Sequence, residues 1–321
     1  MALSDLQVFN KYLYSSMTEV LRQKVELFNA ASQNTIILNA SAHEGDYSDV
    51  AFWKKISGLV RRRDSYGSGA VSAVDIEHLL DTAVKVAAGT PPVNIPPSQM
   101  LWIQRAPEEM AAVIGQQLAV DAMADMLNTA IGATSAALGQ VAAVVYDPGP
   151  PTADISPTIL NEGSRLFGDA YNDIKVWVMH SKSLHDYYES GLTNTARLFT
   201  YGTVNVIQDA FGRTFIVSDS DSLIDTAPTP DEYFTLGLVT GAVVISQNND
   251  FYSNIETSNG DENILRTFQA EWSWSLGIKG FKWDKTNGGA SPTTAALTTA
   301  TNWDRYATSV KDLAGVKVFS T

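Results

Sequence analysis

Few side chains in this sequence have the type and spacing that metal binding or catalysis needs. The histidines form no His-Glu-x-x-His pair, the spacing of zinc peptidases, and lie apart at His43, His78, His180 and His185. Asp219 and Asp221 begin like a calcium-binding loop, but the residues after them lack its glycine and its closing glutamate. There is no cysteine, which excludes thiolate ligands and disulfides. The sequence therefore predicts no catalytic residue, no metal site and no bound cofactor.

Motifs for nucleotide binding or acyl transfer are also missing. The chain has no phosphate-binding glycine loop, no dinucleotide fingerprint and no Gly-x-Ser-x-Gly turn. The remaining candidates for ligand binding are the seven tryptophans. Trp272 and Trp274 could form a platform for a sugar ring, so an acidic carbohydrate-active enzyme stays open as an alternative. The regular alternation around both residues favours buried packing instead.

The charge of the chain is negative and unevenly distributed. The net charge is −13, and residues 214–265 contain nine acidic residues but no Lys or Arg. A surface of that sign repels nucleic acid phosphates. The densest basic cluster is short and lies in an acidic chain, so we interpret it as a solvated or partner-facing loop. Its members are Lys54, Lys55, Arg61, Arg62 and Arg63.

Nothing in the sequence indicates export or membrane insertion. The first residues, MALSDLQVFNKYLYSSM, lack a basic segment followed by an apolar core, so no secretory signal is predicted. No run of about 18 apolar residues occurs, so no membrane span is predicted. We therefore expect an intracellular product, and 321 residues allow a sizeable core in about two domains.

Two long helices are predicted. The first spans 4–31, where Phe9, Leu13 and other apolar residues recur every three or four positions. The second spans 107–138 and begins with a proline followed by two glutamates, which suit the positive end of a helix dipole. It would be about 45 Å long. Its apolar stripe is Ile114, Leu118, Ala122 and Met126, and its polar stripe is Gln117, Asp121, Asp125 and Asn128.

A long strand is predicted where apolar and polar residues alternate from Phe268 to Ile278. Trp272 and Trp274 lie on its apolar side, whereas Ser273 and Ser275 lie on the side that we expect to face solvent. Over its eleven alternating residues, the strand would be roughly 35 Å long, well above the usual length.

The remaining segments predict an excursion and an α/β region. Residues 43–105, rich in glycine and proline, lack a core of their own and suit a two-stranded excursion from the body. Residues 157–174 read as a helix, 175–180 as a strand, 181–192 as a helix and 212–220 as a strand. YFTLGLVTGAVVISQ reads as one strand or a strand pair, and the chain ends with a polar loop, a weak helix and a final strand.

In order and pattern, the chain resembles the major capsid protein of a tailed double-stranded-DNA bacteriophage with the Hong Kong 97-type fold. The most specific part is KVWVMHSKSLHDYYESGL followed by GRTFIVSDS, which resembles a strand, helix and strand of the axial domain. GLVRRRDSYGSGAVSAVDIEHLLDTAVKVAAG is similar to the extended loop, APEEMAAVIGQQLAVDAMADMLNTAIGA to the spine helix, and ILRTFQAEWSWSLGIKGFKWD to the long peripheral strand.

The resemblance implies an α+β Hong Kong 97-type capsid fold with five segments. They are an N-terminal arm (1–42), an extended loop with adjoining peripheral strands (43–104), a spine helix of the peripheral domain (105–146), an axial domain (147–262), and the peripheral long strand with the C-terminal segment (263–321). It places Ile114, Leu118, Met126, Trp272 and Trp274 between spine helix and long strand. Assembly contacts are expected at Arg61, Arg62, Arg63, Lys54, Lys55, Phe9 and Leu13.

The function implied by the resemblance is structural and not enzymatic. The chain would self-assemble as pentamers and hexamers of an icosahedral shell, which encloses double-stranded DNA through weak, non-specific contacts. The short N-terminal arm implies a separate scaffolding protein, and a portal and a decoration protein are further expected partners. No membrane partner is expected. The protein would reside in the virion after assembly in the host cytoplasm. The nearest alternative is an encapsulin-like shell, which shares the fold but encloses proteins.

Overall fold

The computed structural model describes ten stretches of the chain, and everything below concerns these stretches. They are residues 3–41, 45–53, 60–73, 75–96, 107–149, 153–189, 196–201, 204–208, 213–259 and 264–321. The protein is a mixed helix-and-sheet molecule in which two long helices accompany two β-sheets.

The two long helices are confirmed and pack along each other. Helix α1 spans Leu3–Ala31 and helix α2 spans Pro107–Gly139. Gly115 permits their close approach, because a methyl group there would lie 3.1 Å from the Leu13 carbonyl oxygen. At 1.5 Å per residue α2 is about 50 Å long, several times the length of an average helix.

Within the described stretches, the other helices are short. They are α3 (Pro157–Arg165), α4 (Ser181–Glu189) and α5 (Thr294–Leu297). Ser156 caps the start of α3 by accepting a hydrogen bond from the Ile159 amide. The prediction of one helix over 157–174 was too long, because the helix ends at Arg165. A 3₁₀ segment, Gly168–Asp173, begins at Gly168, which adopts a positive φ of 58°.

The larger sheet has nine strands with a long strand at its centre. Its members are β1 (Ile36–Ala40), β2 (Tyr47–Trp53), β3 (His78–Gly89), β4 (Val93–Asn94), β12 (Val243–Gln247), β13 (Tyr252–Ser258), β14 (Leu265–Ile278), β15 (Phe281–Trp283) and β16 (Trp303–Arg305). Strands β12 and β13 follow each other along one edge of β14, whereas β3 and β4 follow each other along the opposite edge.

The smaller sheet has eight strands. They are β5 (Val145–Tyr146), β6 (Ile174–Met179), β7 (Ala196–Tyr201), β8 (Val204–Gln208), β9 (Thr214–Val217), β10 (Ile224–Asp225), β11 (Glu232–Val239) and β17 (Gly315–Ser320). Strands β6 and β9 are parallel, and α4 lies between them in the chain. The predicted strands at 175–180 and 212–220 are therefore present as β6 and β9.

The chain passes between the sheets at places that the sequence did not reveal. The segment YFTLGLVTGAVVISQ forms two strands, and a turn at Gly241, with a φ of 67°, sends β12 into the larger sheet while β11 stays in the smaller one. Strand β17 returns to the smaller sheet. The sheet division therefore differs from the expected segments 147–262 and 263–321, because strand pairing and not chain order decides membership.

The long strand exists, and its polar side is exposed at Gln269 and Glu271, but the prediction of a solvent-facing side was wrong at Ser273 and Ser275. Trp274 has no exposed surface, as expected for its side. Ser273 and Ser275, on the opposite side, are 5% and 4% exposed. The physical reason is the segment that follows β12: Asn248 lies over the strand, donates to the Ser273 hydroxyl over 3.0 Å and accepts from Ser275 over 3.3 Å.

Candidate assembly surfaces

The predicted residues of the helix-strand core lie close together. Leu118, Met126 and Trp274 are buried, whereas Ile114 and Trp272 are half-buried against the core. Leu118 and Trp272 line the same groove between α2 and the larger sheet. Because the Trp274 ring has no exposed surface, it cannot stack on a sugar.

The apolar stripe of α1 is covered within its own chain. Phe9 is 1% exposed and Leu13 is not exposed at all. The Phe9 ring packs edge-on against Phe268 of β14, with ring centroids 6.4 Å apart. In this chain α2 and β14 occupy the space around Phe9 and Leu13, and contact of these two residues with a neighbouring subunit stays a prediction. The exposed residues of α1 include Tyr12 and Leu27 instead.

A hairpin formed by β2 and β3 carries the predicted basic loop. The two strands pair from Tyr47 and Val84 to Trp53 and His78, where the Trp53 and His78 rings lie 3.8 Å apart. All described residues between 60 and 77 are exposed, including Arg61, Arg62 and Arg63. Tyr66 in this loop is 99% exposed. Lys54 and Lys55 lie outside the described residues.

Charged contacts hold the base of this hairpin. The Asp49 carboxylate accepts hydrogen bonds from the Lys285 ammonium over 2.6 Å and from the Thr82 hydroxyl over 2.7 Å. The Lys285 hydrogen bond, with the contribution of Thr82, holds the pKa of Asp49 below its usual range. The Lys285 ammonium also lies 5.0 Å from the centre of the Tyr47 ring. The hairpin is therefore anchored to the segment after β15.

Among the described residues, a second carboxyl group at the hairpin base forms no ion pair. Asp81 lines a cavity of about 320 Å³ with Lys279, Ser275 and Tyr306. Burial raises the pKa of Asp81 to about 6, although a hydrogen bond with Tyr306 acts in the opposite direction. One Asp81 carboxyl oxygen is buried without a hydrogen-bond partner among the described residues. The ionised form of Asp81 is therefore disfavoured in this fold.

An acidic groove runs beside α2. It has a volume of about 640 Å³ and lies between α2, the end of β3 and the segment 291–294. Asp121 and Asp125, one helical turn apart, line it together with Trp272. Burial raises the pKa of Asp125. Among the described residues, no Lys or Arg forms an ion pair with either carboxylate.

One buried lysine belongs to the smaller sheet. Lys317 of β17 is 7% exposed, and its ammonium lies 3.8 Å from the centre of the Phe234 ring. Burial lowers the pKa of Lys317 to about 8, although the charges of Asp225 and Glu232 act to raise it. The aromatic face offsets part of the cost of burying this cation.

The residues that could bind a metal form no cluster in the described part of the chain. Within it, no group of three or more His, Asp or Glu side chains is arranged to hold an ion. His180 lies 3.5 Å from Asp219, and His43 lies outside the described residues. Across the described residues, no helix combines the length and apolarity that crossing a membrane requires.

Comparison with known families identifies the chain. The model of the Gp13-like family, described as major capsid protein 13-like, matches residues 5–317. The chain belongs to this major capsid protein family. It is therefore a structural protein of a capsid shell, and the resemblance noted in the sequence is confirmed. No curated protein matches the chain in sequence.

Solved capsid structures are similar to this major capsid protein at low sequence identity. The capsid asymmetric unit of cyanophage Pam1 is 10% identical with a TM-score of 0.49, covering 87% of this chain and 85% of that chain. The capsid of Ralstonia phage GP4 is 8% identical with a TM-score of 0.49, covering 89% and 87%. The capsid of Myoviridae phage XM1 is 9% identical with a TM-score of 0.46, covering 90% of each. At TM-scores below 0.5 these likenesses carry no conclusion about this chain.

Sequence reasoning missed the features of this capsid protein that depend on strand pairing. Asp121 and Asp125 were visible as a polar stripe of a helix, but the groove needs the end of β3 beside them. Asp81 and Tyr306 are far apart in the chain but line the same cavity. Asp81 lies on β3, which pairs with β14. Tyr306 follows β16, which is joined to β14 through β15. One sequence signal could have indicated the groove: no Lys or Arg lies three or four positions from Asp121 or Asp125 on the helix.

Proposed function

We propose that this major capsid protein forms the icosahedral shell of a tailed bacteriophage with a double-stranded-DNA genome, arranged as pentamers and hexamers. In this proposal α2 is the spine helix of a peripheral domain, β14 is its long strand, the β2–β3 hairpin is the extended loop, and the smaller sheet is the core of the axial domain. The shell would assemble in the host cytoplasm and remain in the virion.

The observation that carries the proposal is the family match over residues 5–317, which spans nearly the whole chain. The exposed hairpin supports it. An arm of this kind, with a ring such as Tyr66 at 99% exposure and three guanidinium groups, has little to contact within its own subunit. Large exposed side chains on a projecting loop are typical of interaction sites between proteins. We infer that Arg61, Arg62 and Arg63 are assembly contacts.

We further propose partners in assembly and no catalytic activity. A separate scaffolding protein would guide assembly. A portal would occupy one vertex, and a decoration protein could cover exposed edges of the outer surface. The packaged DNA would make weak, non-specific contacts, since a net charge of −13 disfavours tight binding to phosphates. We propose no membrane partner.

Electron microscopy of the purified protein, expressed with and without candidate scaffolding proteins of the same genome, tests this proposal. We expect closed shells large enough for a genome. Small cages that contain protein cargo would favour an encapsulin-like compartment instead. A protein that stays as single molecules under all assembly conditions would contradict a shell-forming role.

A further inference from the structure

Two Asn–Gly pairs occur in this chain, at Asn259–Gly260 and at Asn287–Gly288. Asparagine is a thermolabile residue, and it is most labile before glycine, which has no side chain to obstruct its own backbone nitrogen. That nitrogen can attack the side-chain amide carbon of the asparagine, which releases ammonia and closes a succinimide ring. Water then opens the ring to aspartate or isoaspartate. The sequence therefore contains two places at which the chain can modify itself.

The glycine of the second pair is fixed by packing in the turn of residues 284–289, which follows β15. A methyl group on Gly288 would lie 2.1 Å from a ring carbon of Trp283. The Trp283 ring is 1% exposed and packs edge-on against Trp303, with ring centroids 4.9 Å apart. Its indole N–H also donates to the Gly289 carbonyl oxygen over 3.0 Å. Any side chain at position 288 would displace this buried ring, so the labile pair cannot be removed at its glycine.

The folded turn occupies both reacting groups with one residue. The Gly288 N–H, which carries the attacking nitrogen, donates to the Asp284 carbonyl oxygen over 2.9 Å. The side-chain amide of Asn287, which carries the carbon that is attacked, donates to the Asp284 carboxylate. The Asn287 backbone N–H donates to the same carboxylate over 3.3 Å. For the ring to close, the Gly288 nitrogen must leave the Asp284 carbonyl oxygen and the Asn287 side chain must rotate away from the carboxylate.

Asp284 is itself held in place from two directions. Its backbone N–H donates to the Asn302 carbonyl oxygen over 2.9 Å, next to β16. Its carboxylate accepts a hydrogen bond from the Thr286 amide over 2.8 Å. The Thr286 hydrogen bond, with those from Asn287, holds the pKa of Asp284 below its usual range, although partial desolvation acts in the opposite direction. The carboxylate is therefore ionised at neutral pH and remains an acceptor for the turn.

We propose that Asn287 is a site of spontaneous deamidation and that Asp284 suppresses the reaction in the folded subunit. The reaction proceeds when the 284–289 turn opens locally and frees both groups. The Gly288 nitrogen loses its proton to hydroxide and forms a bond to the side-chain amide carbon of Asn287, while the bond from that carbon to the amide nitrogen breaks and ammonia leaves. Hydrolysis of the succinimide adds one water and leaves aspartate or isoaspartate at position 287.

The modified turn would lie at the anchor of the β2–β3 hairpin. Lys285, two positions before Asn287, donates to the Asp49 carboxylate of β2 over 2.6 Å. Isoaspartate lengthens the main chain by one CH₂ group and adds a carboxylate, while Gly288 still has to fit against Trp283. We expect the modified turn to hold the hairpin less firmly. A subunit that has stayed unfolded would therefore carry a permanent chemical mark beside this anchor.

Incubation of the unassembled parent at mildly alkaline pH, folded or unfolded in guanidinium chloride, tests the site. Tandem mass spectrometry locates aspartate and isoaspartate at positions 259 and 287. In the unfolded chain the two Asn–Gly pairs should react at similar rates. In the folded subunit Asn287 should react about tenfold or more slowly than in the unfolded chain, because only the locally open turn reacts. No reaction of Asn287 in the unfolded chain, or equal rates in both states, would overturn the proposal.

Two variants test the role of Asp284. Asp284→Ala removes the hydrogen bonds of the carboxylate and should speed deamidation of the folded subunit about tenfold. Lys285→Ala is the matched control, because it removes the contact with Asp49 but leaves Asp284 in place, and Asn287 should then react at the parent rate. Circular dichroism and melting check that both variants fold. A parent rate in Asp284→Ala, or equal acceleration in both variants, would contradict a specific role of Asp284.

Hydrogen exchange of the unmodified parent tests the same contact without any substitution. The Gly288 amide proton should exchange slowly, because it is bonded to the Asp284 carbonyl oxygen in the closed turn. Exchange at the rate of an unstructured peptide would contradict the closed turn and the proposal with it. All of these measurements use unassembled subunits, so their outcomes do not depend on whether the protein forms a shell.

Discussion

Around Trp274 and Ser273, in the second half of β14, both faces of the strand are covered, but different chemistry covers them. On one face Trp274 is fully buried and paired across the sheet with Val86. On the other face Ser273 donates to the Asp250 carboxylate and accepts from Asn248, while Lys85 lies 3.5 Å from the same carboxylate. The first face gains stability from apolar area removed from water, and the second depends on hydrogen bonds and charge.

This difference shows why the alternation of apolar and polar residues located the strand correctly but misjudged its second face. A serine at a polar position is compatible with solvent or with a buried hydrogen-bond network. Only the segment after β12, which lies over Ser273 and Ser275, decides between them. The two faces should therefore respond differently to substitution and to pH.

The largest effect is expected on the apolar face. Trp274→Ala should lower the free energy of unfolding by about 3–5 kcal/mol, because it leaves a cavity in a closely packed core. Gln269→Ala, at an exposed position of the same strand, should change it by less than about 0.5 kcal/mol. Chemical denaturation of the unassembled subunit measures both. Equal unfolding curves for Trp274→Ala and the parent would contradict the buried packing of this face.

The next largest effect concerns Asp81, which belongs to the polar side of the same sheet. Its pKa of about 6 lies above the ordinary value of 3.8 because burial disfavours the charged form. The folded protein therefore binds the proton more tightly than the unfolded chain, and stability falls as the pH rises from about 4 to about 6. Asp81→Asn should remove this loss and raise the free energy of unfolding by about 1–2 kcal/mol at pH 7, after allowance for partial exposure to solvent.

Unfolding of Asp81→Asn and the parent at several pH values measures this effect. The difference between them should shrink as the pH falls below about 4, where the parent carboxyl group is protonated in both states. A variant that is less stable than the parent at pH 7 would mean that ionised Asp81 has a cation partner in solution. In that case Asp81, like Asp250, would have a cation beside it, and the two carboxylates on this face would no longer differ.

The smallest effect is expected at Ser273. Burial acts to raise the pKa of Asp250, but the hydrogen bonds from Ser273 and the charge of Lys85 outweigh it and hold the pKa low. Ser273→Ala removes one of these hydrogen bonds and should cost about 1 kcal/mol at pH 7.

The pH dependence of the Ser273 effect should be opposite to that of Asp81. A lowered pKa contributes stability above the ordinary pKa of the carboxyl group, and that stability is lost as the pH falls through the folded value. The cost of Ser273→Ala should therefore fade in acid. Denaturation at pH 7 and at about pH 3 measures the change, and a cost that is equal at both values would exclude a contribution through Asp250.

The sequence predicted elements well where one segment contains its own signal. Helix α2 was placed almost to the residue, because Pro107, Glu108 and Glu109 mark its start and an apolar stripe runs through it. The arginine loop was recognised as exposed for a similar reason, since Arg61, Arg62 and Arg63 adjoin each other.

Features that depend on distant segments could not be predicted. Strands β11 and β12 are separated by three residues and read as a local pair, yet they belong to different sheets. Phe9 and Leu13 were recognised as part of an apolar stripe, but the pattern does not say whether α2 of the same chain or another subunit covers it. The acidic groove beside α2 likewise exists only because α2, the end of β3 and the segment 291–294 meet.

The most direct test of this account is a cryo-electron microscopy reconstruction of the assembled parent protein at side-chain resolution. The account predicts a closed shell in which residues 61–63 of each copy contact a neighbouring copy. A closed shell in which the arginines contact no other copy would contradict their assignment as assembly contacts. Failure to find any closed shell would contradict the central claim itself.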